Sequence, residues 1–368
     1  MFHPLRVGAV ERITDDAVAV TFEVPDALRE TFRHVPGQHL NVRYEAAGEE
    51  IRRSYSLCSP AVAAPDPPVL RVGIRLVDGG TFSTYALKEL TVGDQVEAMP
   101  PTGRFTLEPR PGLFAAVVGG SGITPVLSIA ATLLAREPLA RFCLVRSDRT
   151  VASTMFLDEV ADLKDRYPDR FHLVTALSRE EQAAGLPAGR LDRERLTSLL
   201  PALLPVPEVA AWFLCGPLGL VREAQRALRA LDVERGRVHQ EIFHVADSPA
   251  PTATAPDAAN AAGAAGSGGA VGVAVPAEAT LTATLHGRSG SWPVEHGDSL
   301  LETVLRRRAD APYACKGGVC GTCRAFLVRG EVRMDRNYAL EPEETDAGFV
   351  LACQSHPLTP EVAIDFDR

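Results

Sequence analysis

Four cysteines within residues 315–353 restrict the possible folds of this chain more than any other feature. Cys315, Cys320 and Cys323 follow a C-x4-C-x2-C pattern, and Cys353 comes later in the chain. Four thiolates with this spacing hold the two irons of a [2Fe-2S] cluster. The intervening loop is rich in glycine, which adopts the torsions that wrapping a cluster requires and lets backbone N–H groups face the sulfides. We therefore predict that these four cysteines bind a [2Fe-2S] cluster.

A structural zinc site and a disulfide pair are the alternative explanations of the same cysteines. Zinc usually takes two close pairs of Cys or His, and this stretch contains one, Cys320 and Cys323. The other three cysteines, Cys58, Cys143 and Cys215, show no spacing typical of a disulfide framework. This cysteine usage fits a reducing compartment, so we expect a cytoplasmic protein.

Length and charge narrow the functional class. A chain of 368 residues is long enough for two or three domains. Its net charge of -9 argues against a nucleic-acid partner. The first residues lack the apolar segment of a signal peptide, and no run of 18 apolar residues occurs, so we expect no membrane span.

One stretch predicts a flexible linker. Residues 246–278 are mostly Ala, Pro, Gly, Ser and Thr, which cannot bury enough apolar surface to become ordered. We predict domains at residues 1–109, 110–245 and 279–368, with the last tethered by this linker.

The first domain has the pattern of a small antiparallel β-barrel. Alternating segments at residues 18–24, 40–44, 70–76 and 95–98 predict strands, and Gly and Pro separate them. No helical period appears before Tyr85, which favours an all-β barrel.

A further predicted strand at residues 52–57 carries a candidate flavin site. Arg53 offers a fork-shaped cation for a pyrophosphate, Tyr55 a flat ring for an isoalloxazine face, and Ser56 a hydroxyl for a flavin ring nitrogen. The alternative is an ordinary polar strand. Residues 73–83 add a strand and a glycine turn that opens a short helix, and a helix N-terminus binds phosphate.

The second domain begins as a doubly wound nucleotide-binding fold. Residues 114–118 predict a buried strand, residues 119–124 a glycine loop, and Pro125 the first position of a helix that runs to residue 135. A purely structural strand–helix turn is the alternative. Later strands are predicted at residues 141–145, 172–176 and 211–214. Cys215 follows the last of these strands. From its sequence context alone, it could equally be a small buried hydrophobic residue or a site residue.

The choice between NADP and NAD depends on charge near the predicted strand ends. Arg149 and Arg179 could bind a 2′-phosphate, whereas Asp148 argues for NAD, since NAD-binding sites usually place an acid on the ribose. A solvated surface arginine is the alternative for Arg179.

The third domain has the pattern of a ferredoxin-like β-grasp. Residues 280–286 and 291–294 predict a strand pair, residues 299–307 an amphipathic helix and residues 324–328 a strand after the cysteine loop. The chain is therefore predicted to combine a β-barrel, an α/β doubly wound domain and an α+β β-grasp domain.

Together these segments resemble the ferredoxin–NADP reductase superfamily, and their order resembles the reductases of multicomponent oxygenases. Within that group the chain is most similar to the reductase components of phenylacetyl-CoA epoxidases. The similar segments are residues 36–40, 52–56, 312–323, 337–343, 353–354 and 364–367. The linker is longer and richer in Ala and Gly than the resemblance leads us to expect.

The resemblance implies the site residues. FAD would be bound by Arg53, Ser54, Tyr55, Ser56, Ile74, Arg75, Gly80, Thr81, Phe82, Ser83 and Phe243. NADPH would be bound by Gly120, Ser121, Gly122, Thr124, Arg149, Ser178, Arg179, Gly216 and Pro217. Catalysis would involve Ser56, Cys215 and Glu241. Residues 101–105 would form the closing strand of the barrel.

The cofactors predict an electron path. NADPH gives two electrons as a hydride and an iron–sulfur cluster accepts one, so a flavin must stand between them. The resemblance implies that the electrons reach a di-iron oxygenase that epoxidises the ring of phenylacetyl-CoA. Two alternatives stay open: a reductase of another oxygenase, such as a steroid-ring hydroxylase, and an electron carrier or redox sensor that uses the cluster alone.

Overall fold

The computed structural model describes residues 2–46, 48–180, 189–244, 279–308 and 310–368. The predicted linker lies outside the described residues. The chain divides into two compact units, residues 1–243 with 312–322 and residues 244–311 with 323–368. None of the helices in the described ranges has the length and apolar character needed to cross a bilayer.

Six antiparallel strands at the start of the first unit form a barrel. They are β1 (His3–Thr14), β2 (Ala17–Glu23), β3 (His39–Ala46), β4 (Glu49–Ser56), β5 (Leu70–Arg75) and β6 (Gln95–Ala98). Their order is β4-β3-β6-β1-β2-β5, and a bridge between Leu57 and Val72 links the two ends. Leu5, Val20 and Leu40 from three different strands are fully buried inside, each contributing about 1.5–3 kcal/mol. Helix α1 (Thr81–Lys88) follows the turn after β5.

The remainder of the unit is an α/β domain. It contains β7 (Gly112–Gly119), α2 (Ile123–Arg136), β8 (Ala140–Asp148), α3 (Leu157–Arg166), β9 (Phe171–Leu177), α4 (Arg193–Leu203), β10 (Val209–Pro217), α5 (Leu218–Ala230) and β11 (Val238–His244). The strand order is β11-β10-β7-β8-β9, and β10, β7, β8 and β9 run parallel. The order reverses between β7 and β10. A ligand site is expected in the crevice at the carboxyl ends of the strands there.

The second unit contains a five-stranded mixed sheet, a two-stranded antiparallel sheet and short helices. Its elements are β12 (Ala279–Leu285), β13 (Arg288–Val294), α6 (Leu300–Leu305), β14 (Arg324–Arg329), β15 (Val332–Met334), α7 (Pro342–Asp346), β16 (Phe349–Leu351), β17 (Ser355–Pro357) and β18 (Glu361–Asp365). The order of the larger sheet is β13-β12-β18-β14-β16, with β12 parallel to β18, and β15 pairs with β17 in the smaller sheet. Ser299 and Glu302 form a capping box at the start of α6.

The structure corrects three sequence predictions. Helix α2 begins at Ile123 and not at Pro125, because a proline fits anywhere in the first turn, where N–H groups have no acceptor within the helix. Residues 101–105 form no strand. Thr102 makes only a single bridge to His39, because the two preceding prolines cannot donate to a ladder. Helix α6 spans Leu300–Leu305 and not residues 299–307, since Ser299 is its N-cap and Arg306 its C-cap.

Candidate active site

Two glycine loops meet where the order of the parallel strands reverses. A Cβ on Gly122 would lie 2.3 Å from the carbonyl oxygen of Cys215. Gly216 has φ +136°, and its Cβ would lie 2.7 Å from the carbonyl oxygen of Gly119. Only glycine permits this approach of the two backbones. The predicted nucleotide residues in the two loops are therefore brought together.

The predicted catalytic residues Ser56, Cys215 and Glu241 also meet here. Ser56 Oγ is hydrogen-bonded to Glu241 Oε2 at 3.4 Å, although 185 positions separate them in sequence. Burial raises the pKa of the Glu241 carboxyl to about 8, and the Ser56 hydrogen bond opposes that rise only in part. Burial, reinforced by the nearby Glu241, also raises the pKa of the Cys215 thiol. At neutral pH all three side chains are uncharged.

Strand β4 places Arg53 and Tyr55 on one face. Arg53 is exposed, and the Tyr55 ring centroid lies 5.5 Å from that of Phe82 on α1. Burial raises the pKa of the Tyr55 hydroxyl. Ser54 points the other way and donates to Asn41 Oδ1 at 2.7 Å. An exposed cation beside a partly buried ring suits a phosphate and a flat heterocycle.

The turn before α1 uses some of the predicted FAD residues for its own structure. The hydroxyl of Ser83 accepts from Val77 N and donates to the carbonyl oxygen of Gly80, both at 3.1 Å. Ile74 and Phe82 are buried in the barrel core. Any contact of Ile74 or Phe82 with FAD must therefore come from backbone groups. Thr81 is exposed at the N-terminus of α1.

Arg75 connects the barrel with the first glycine loop. Its Nε lies 3.2 Å from the Asp16 carboxylate, and Nη2 donates to the carbonyl oxygen of Ser153. A Cβ on Gly120 would lie 3.0 Å from Nη1. In that loop Thr124 donates to the carbonyl oxygen of Ser121 at 3.0 Å. The Arg75 guanidinium thus lies beside the predicted nucleotide loop.

The predicted 2′-phosphate residues lie together on neighbouring strand ends. The backbone N–H of Arg179 donates to the carbonyl oxygen of Arg149, and that of Ser178 to Asp148, both at 2.9 Å. Both arginine side chains are exposed. Asp148, which the sequence offered as an argument for NAD, is 1% exposed at its side chain and pairs with Arg146 Nε at 2.8 Å. It is therefore not presented to a ribose.

Phe243 and Pro217 are the two remaining predicted cofactor residues. Phe243, on β11, packs against the hydrophobic core of the α/β domain. Pro217 ends β10 as the N-cap of α5 and is exposed. The structure thus places them on neighbouring strands, with Pro217 on the strand that flanks the reversal point.

The cysteine loop, residues 312–322, shows features that suit thiolate ligands. Lys316, Gly318 and Gly321 have φ values of 50°, 77° and 68°. The pKa of the Cys315 thiol is lowered to about 5, chiefly by a hydrogen bond from Cys320 and then by backbone N–H groups that include Gly317. The same hydrogen bond raises the pKa of the Cys320 thiol. The backbone N–H groups of the loop therefore stabilise negative charge on the Cys315 sulfur, which suits a thiolate ligand.

The other two predicted ligands lie in the second unit. Cys323 and Cys353 are buried, and the N–H of Ala352 donates to the carbonyl oxygen of Cys323 at 3.0 Å. Within the ranges that the structure describes, no three His, Cys, Asp or Glu side chains are gathered as a metal site would require. The assignment of all four ligands therefore depends on their spacing and on the chemistry of the loop.

Comparison with known proteins decides the family. Three domain families match: an oxidoreductase FAD-binding domain over residues 4–107, an oxidoreductase NAD-binding domain over 117–226 and a 2Fe-2S iron-sulfur cluster binding domain over 283–358. The chain is 40% identical over 371 residues to a subunit of the 1,2-phenylacetyl-CoA epoxidase of Escherichia coli K12, covering 100% of this chain and 98% of that protein. The chain belongs to this family of oxygenase reductases.

More distant relatives of this reductase support the same assignment. It is 31% identical to the ferredoxin reductase component of 3-ketosteroid-9-alpha-monooxygenase from Rhodococcus rhodochrous, over 98% of this chain and 96% of that one. The structure of phthalate dioxygenase reductase matches 99% of this chain and 98% of its own, with a TM-score of 0.59 and 23% identity. The latter supports the fold alone.

These matches confirm the predicted fold class, the FAD, the [2Fe-2S] cluster and a nicotinamide dinucleotide as cofactors. The protein is an NAD(P)H-dependent oxidoreductase that uses FAD and a [2Fe-2S] cluster to pass electrons to an oxygenase. The residues present fit these groups: a ring beside an exposed cation for FAD, glycine loops for a dinucleotide, and a glycine-rich thiol loop for the cluster.

Sequence reasoning missed two features of the site. His39 lies beside Glu241, with its Nδ1 3.8 Å from Oε1. Arg146 and Asp148, both on β8, form a buried ion pair. A signal was available for the second, because the two residues alternate on one strand and so share a face. No local pattern indicates the first.

Proposed function

We propose that the electron donor is NADPH and that the acceptor is a di-iron oxygenase of the phenylacetyl-CoA epoxidase type. The observation that carries the first part is the pair of exposed arginines, Arg149 and Arg179, on adjacent strand ends. Guanidinium groups bind phosphate through charge-assisted hydrogen bonds, and the neighbouring acid, Asp148, is held by Arg146.

The second part is carried by similarity along the full chain. The 1,2-phenylacetyl-CoA epoxidase component from Escherichia coli aligns at 40% identity over 100% of this chain. A second candidate acceptor is a 3-ketosteroid monooxygenase, because a reductase component of such a system aligns at 31%. The lower identity makes it the weaker candidate. The chain itself is not proposed to bind the substrate of the oxygenase.

We propose a separate role for each of the predicted domains and for the predicted linker. Residues 1–109 bind FAD, residues 110–245 bind NADPH, residues 246–278 tether and residues 279–368 carry the cluster. The family matches over residues 4–107, 117–226 and 283–358 support these bounds.

When bound, FAD supplies the conversion of one hydride into single electrons. The protein positions the groups. We propose that Tyr55 covers one face of the flavin, that Arg53 binds its pyrophosphate and that Ser56 donates to a ring nitrogen. We propose that the glycine loops at Gly120–Gly122 and at Gly216 bind the dinucleotide, because their close approach to each other brings both loops to the carboxyl ends of the strands at the reversal point.

Ser56, Cys215 and Glu241 are proposed to surround the place where hydride transfer occurs. All three are uncharged at neutral pH, because burial raises the pKa of both the Glu241 carboxyl and the Cys215 thiol. We propose that these uncharged, largely buried side chains exclude water from the reacting atoms and provide hydrogen bonds at fixed positions.

Reconstitution tests the proposed acceptor. The purified reductase, NADPH and the purified oxygenase components of the two candidate systems would be mixed in turn, and product formation would be measured. We expect phenylacetyl-CoA to be epoxidised at a higher rate than a 3-ketosteroid is hydroxylated. A pull-down from phenylacetate-grown cells that captures no di-iron oxygenase component, together with turnover of the steroid only, would refute the first candidate.

A further inference from the structure

His39 is a buried histidine that none of the roles above uses. Its side chain is 4% exposed, and Nδ1 lies 3.8 Å from Glu241 Oε1. Its Nε2 is buried, with no hydrogen-bond partner among the residues that the structure describes. The antiparallel pairing of β3 and β4 sets His39 directly opposite Ser56, the other partner of Glu241. One carboxyl group thus lies between a hydroxyl and an imidazole.

The surrounding backbone leaves room for this imidazole ring. Gly103 has φ +122°, and a Cβ at that position would lie 2.9 Å from His39 Nδ1. His39 is also fixed at its backbone, since its N–H donates to the carbonyl oxygen of Thr102 at 2.8 Å. The backbone of His39 is therefore fixed, and the glycine at position 103 leaves space for the ring where Nδ1 faces Glu241.

Both partners are uncharged at neutral pH. Burial raises the pKa of the Glu241 carboxyl to about 8 and lowers the pKa of the His39 imidazole to about 4. A neutral carboxyl has one O–H donor and one carbonyl acceptor, and a neutral imidazole has one N–H donor and one acceptor nitrogen. Only certain positions of these protons allow Ser56, Glu241 and His39 to be hydrogen-bonded to one another in a row.

The role of Ser56 selects one arrangement. The contact as described has the Ser56 hydroxyl donating to Glu241 Oε2. If this hydroxyl instead donates to a flavin nitrogen, as the proposed function requires, the direction reverses and the protonated Glu241 carboxyl donates to Ser56. The carboxyl proton then lies on Oε2, and Oε1 becomes an acceptor that faces Nδ1. An N–H on Nδ1 completes the chain and leaves Nε2 as the unpartnered atom. An unpartnered buried acceptor is more readily tolerated than an unpartnered N–H.

We propose that His39 is a positioning residue: its Nδ1–H donates to Glu241 Oε1 and so keeps the carboxyl proton directed at Ser56. The inference depends on the proposed function for the place of FAD beside Ser56. The 3.8 Å separation exceeds a hydrogen bond, and contacts of this kind shorten when the ligand binds.

The tautomer of His39 gives a test that needs no turnover. Nitrogen-15 NMR of the histidine rings, recorded at pH 7 on the wild-type protein loaded with FAD, distinguishes Nδ1–H from Nε2–H and from the charged ring. We expect neutral His39 with the proton on Nδ1. A proton on Nε2, or a charged ring, would overturn the proposal whether or not any variant folds.

Two substitutions then separate positioning from packing. The amide of His39→Asn places an N–H near the position of Nδ1, whereas that of His39→Gln reaches the position of Nε2. We expect His39→Asn to reduce FAD with NADPH within about twofold of the wild-type rate, and His39→Gln to be about five- to tenfold slower, the effect of one hydrogen bond. Infrared spectra should show the Glu241 carbonyl band at higher frequency in His39→Gln only.

His34 provides the matched control. It lies five positions upstream in the same domain, and burial also lowers its pKa to about 4. His34→Gln should leave the flavin reduction rate and the carbonyl band unchanged. Equal rates and equal bands for His39→Asn and His39→Gln would refute the positioning role. Failure of the proposed function is a separate result, because it would appear as a wild-type preference for NADH or as turnover of the 3-ketosteroid only, and neither result depends on the tautomer of His39.

Discussion

We expect the Arg179→Ala substitution to weaken the use of NADPH selectively. A charge-assisted hydrogen bond to phosphate contributes about 1.5–3 kcal/mol, which is about 10- to 150-fold in affinity. Arg179 is exposed, so water and salt screen its charge, and the lower end of that range, about tenfold, applies. The local fold should persist, because the backbone N–H of Arg179, and not its side chain, bonds to Arg149 at 2.9 Å.

The assay is the steady-state oxidation of NADPH and of NADH with ferricyanide as electron acceptor. The KM for NADPH should rise about tenfold in Arg179→Ala, with little change in kcat or in the KM for NADH. Arg141→Ala is the matched control, because Arg141 is also an exposed arginine and lies near the opposite end of β8. Equal changes for both nucleotides would show that Arg179 does not bind the 2′-phosphate. A wild-type preference for NADH would overturn the choice of NADPH itself.

Three further predictions concern the cluster, the glycine loops and the buried acid. Replacing any of the four predicted cluster cysteines by Ser should remove the visible absorbance of the cluster and leave FAD reduction by NADPH intact; full iron and sulfide content in any variant would remove that residue from the ligand set. Gly122→Ala should abolish NADPH binding, because its Cβ would lie 2.3 Å from the Cys215 carbonyl oxygen, whereas Gly219→Ala, with open space around it, should bind normally in a calorimetric titration. Glu241→Gln should stabilise the protein increasingly as the pH rises: the folded-state pKa is raised from 4.5 to about 8, so the folded protein retains a proton that the unfolded chain loses. The gain in the free energy of unfolding should be near zero at pH 4.5 and on the order of 3 kcal/mol at pH 7, and a constant difference in urea titrations across this range would contradict the raised pKa.

Local patterns in the sequence predicted most of this fold, because alternation and glycine spacing are local properties. The predicted strands at residues 18–24, 40–44, 95–98 and 114–118 all coincide with observed strands. The prediction of a closing strand at residues 101–105 was wrong, because two prolines remove backbone N–H donors that a strand needs. The prolines were visible in the sequence, but the prediction followed the family resemblance. Helix limits shifted by one or two residues, as caps and first turns allow.

The site was harder to predict because its contacts cross long stretches of chain. Ser56 meets Glu241 across 185 positions, and pairing between those regions depends on the packing of two domains. The family resemblance supplied both residues, but nothing near His39 in sequence indicates that it faces the same carboxyl. For Asp148 the local pattern was misleading. Its position after a strand suggested a ribose ligand, whereas the structure buries its side chain beside Arg146.

The distribution of charge in the first unit follows from these contacts. The whole chain has a net charge of -9, which by itself repels phosphate-bearing cofactors. Yet two acids beside the proposed sites present no free charge to them: burial keeps Glu241 protonated, and Asp148 is paired with Arg146 inside the domain. A third, Asp16, is paired with Arg75. The arginines Arg53, Arg149 and Arg179 are exposed, and we propose that they are the side chains that bind the phosphate groups. In this acidic protein, the positive potential expected at the proposed phosphate sites thus depends on neutralised carboxyl groups as well as on exposed arginines.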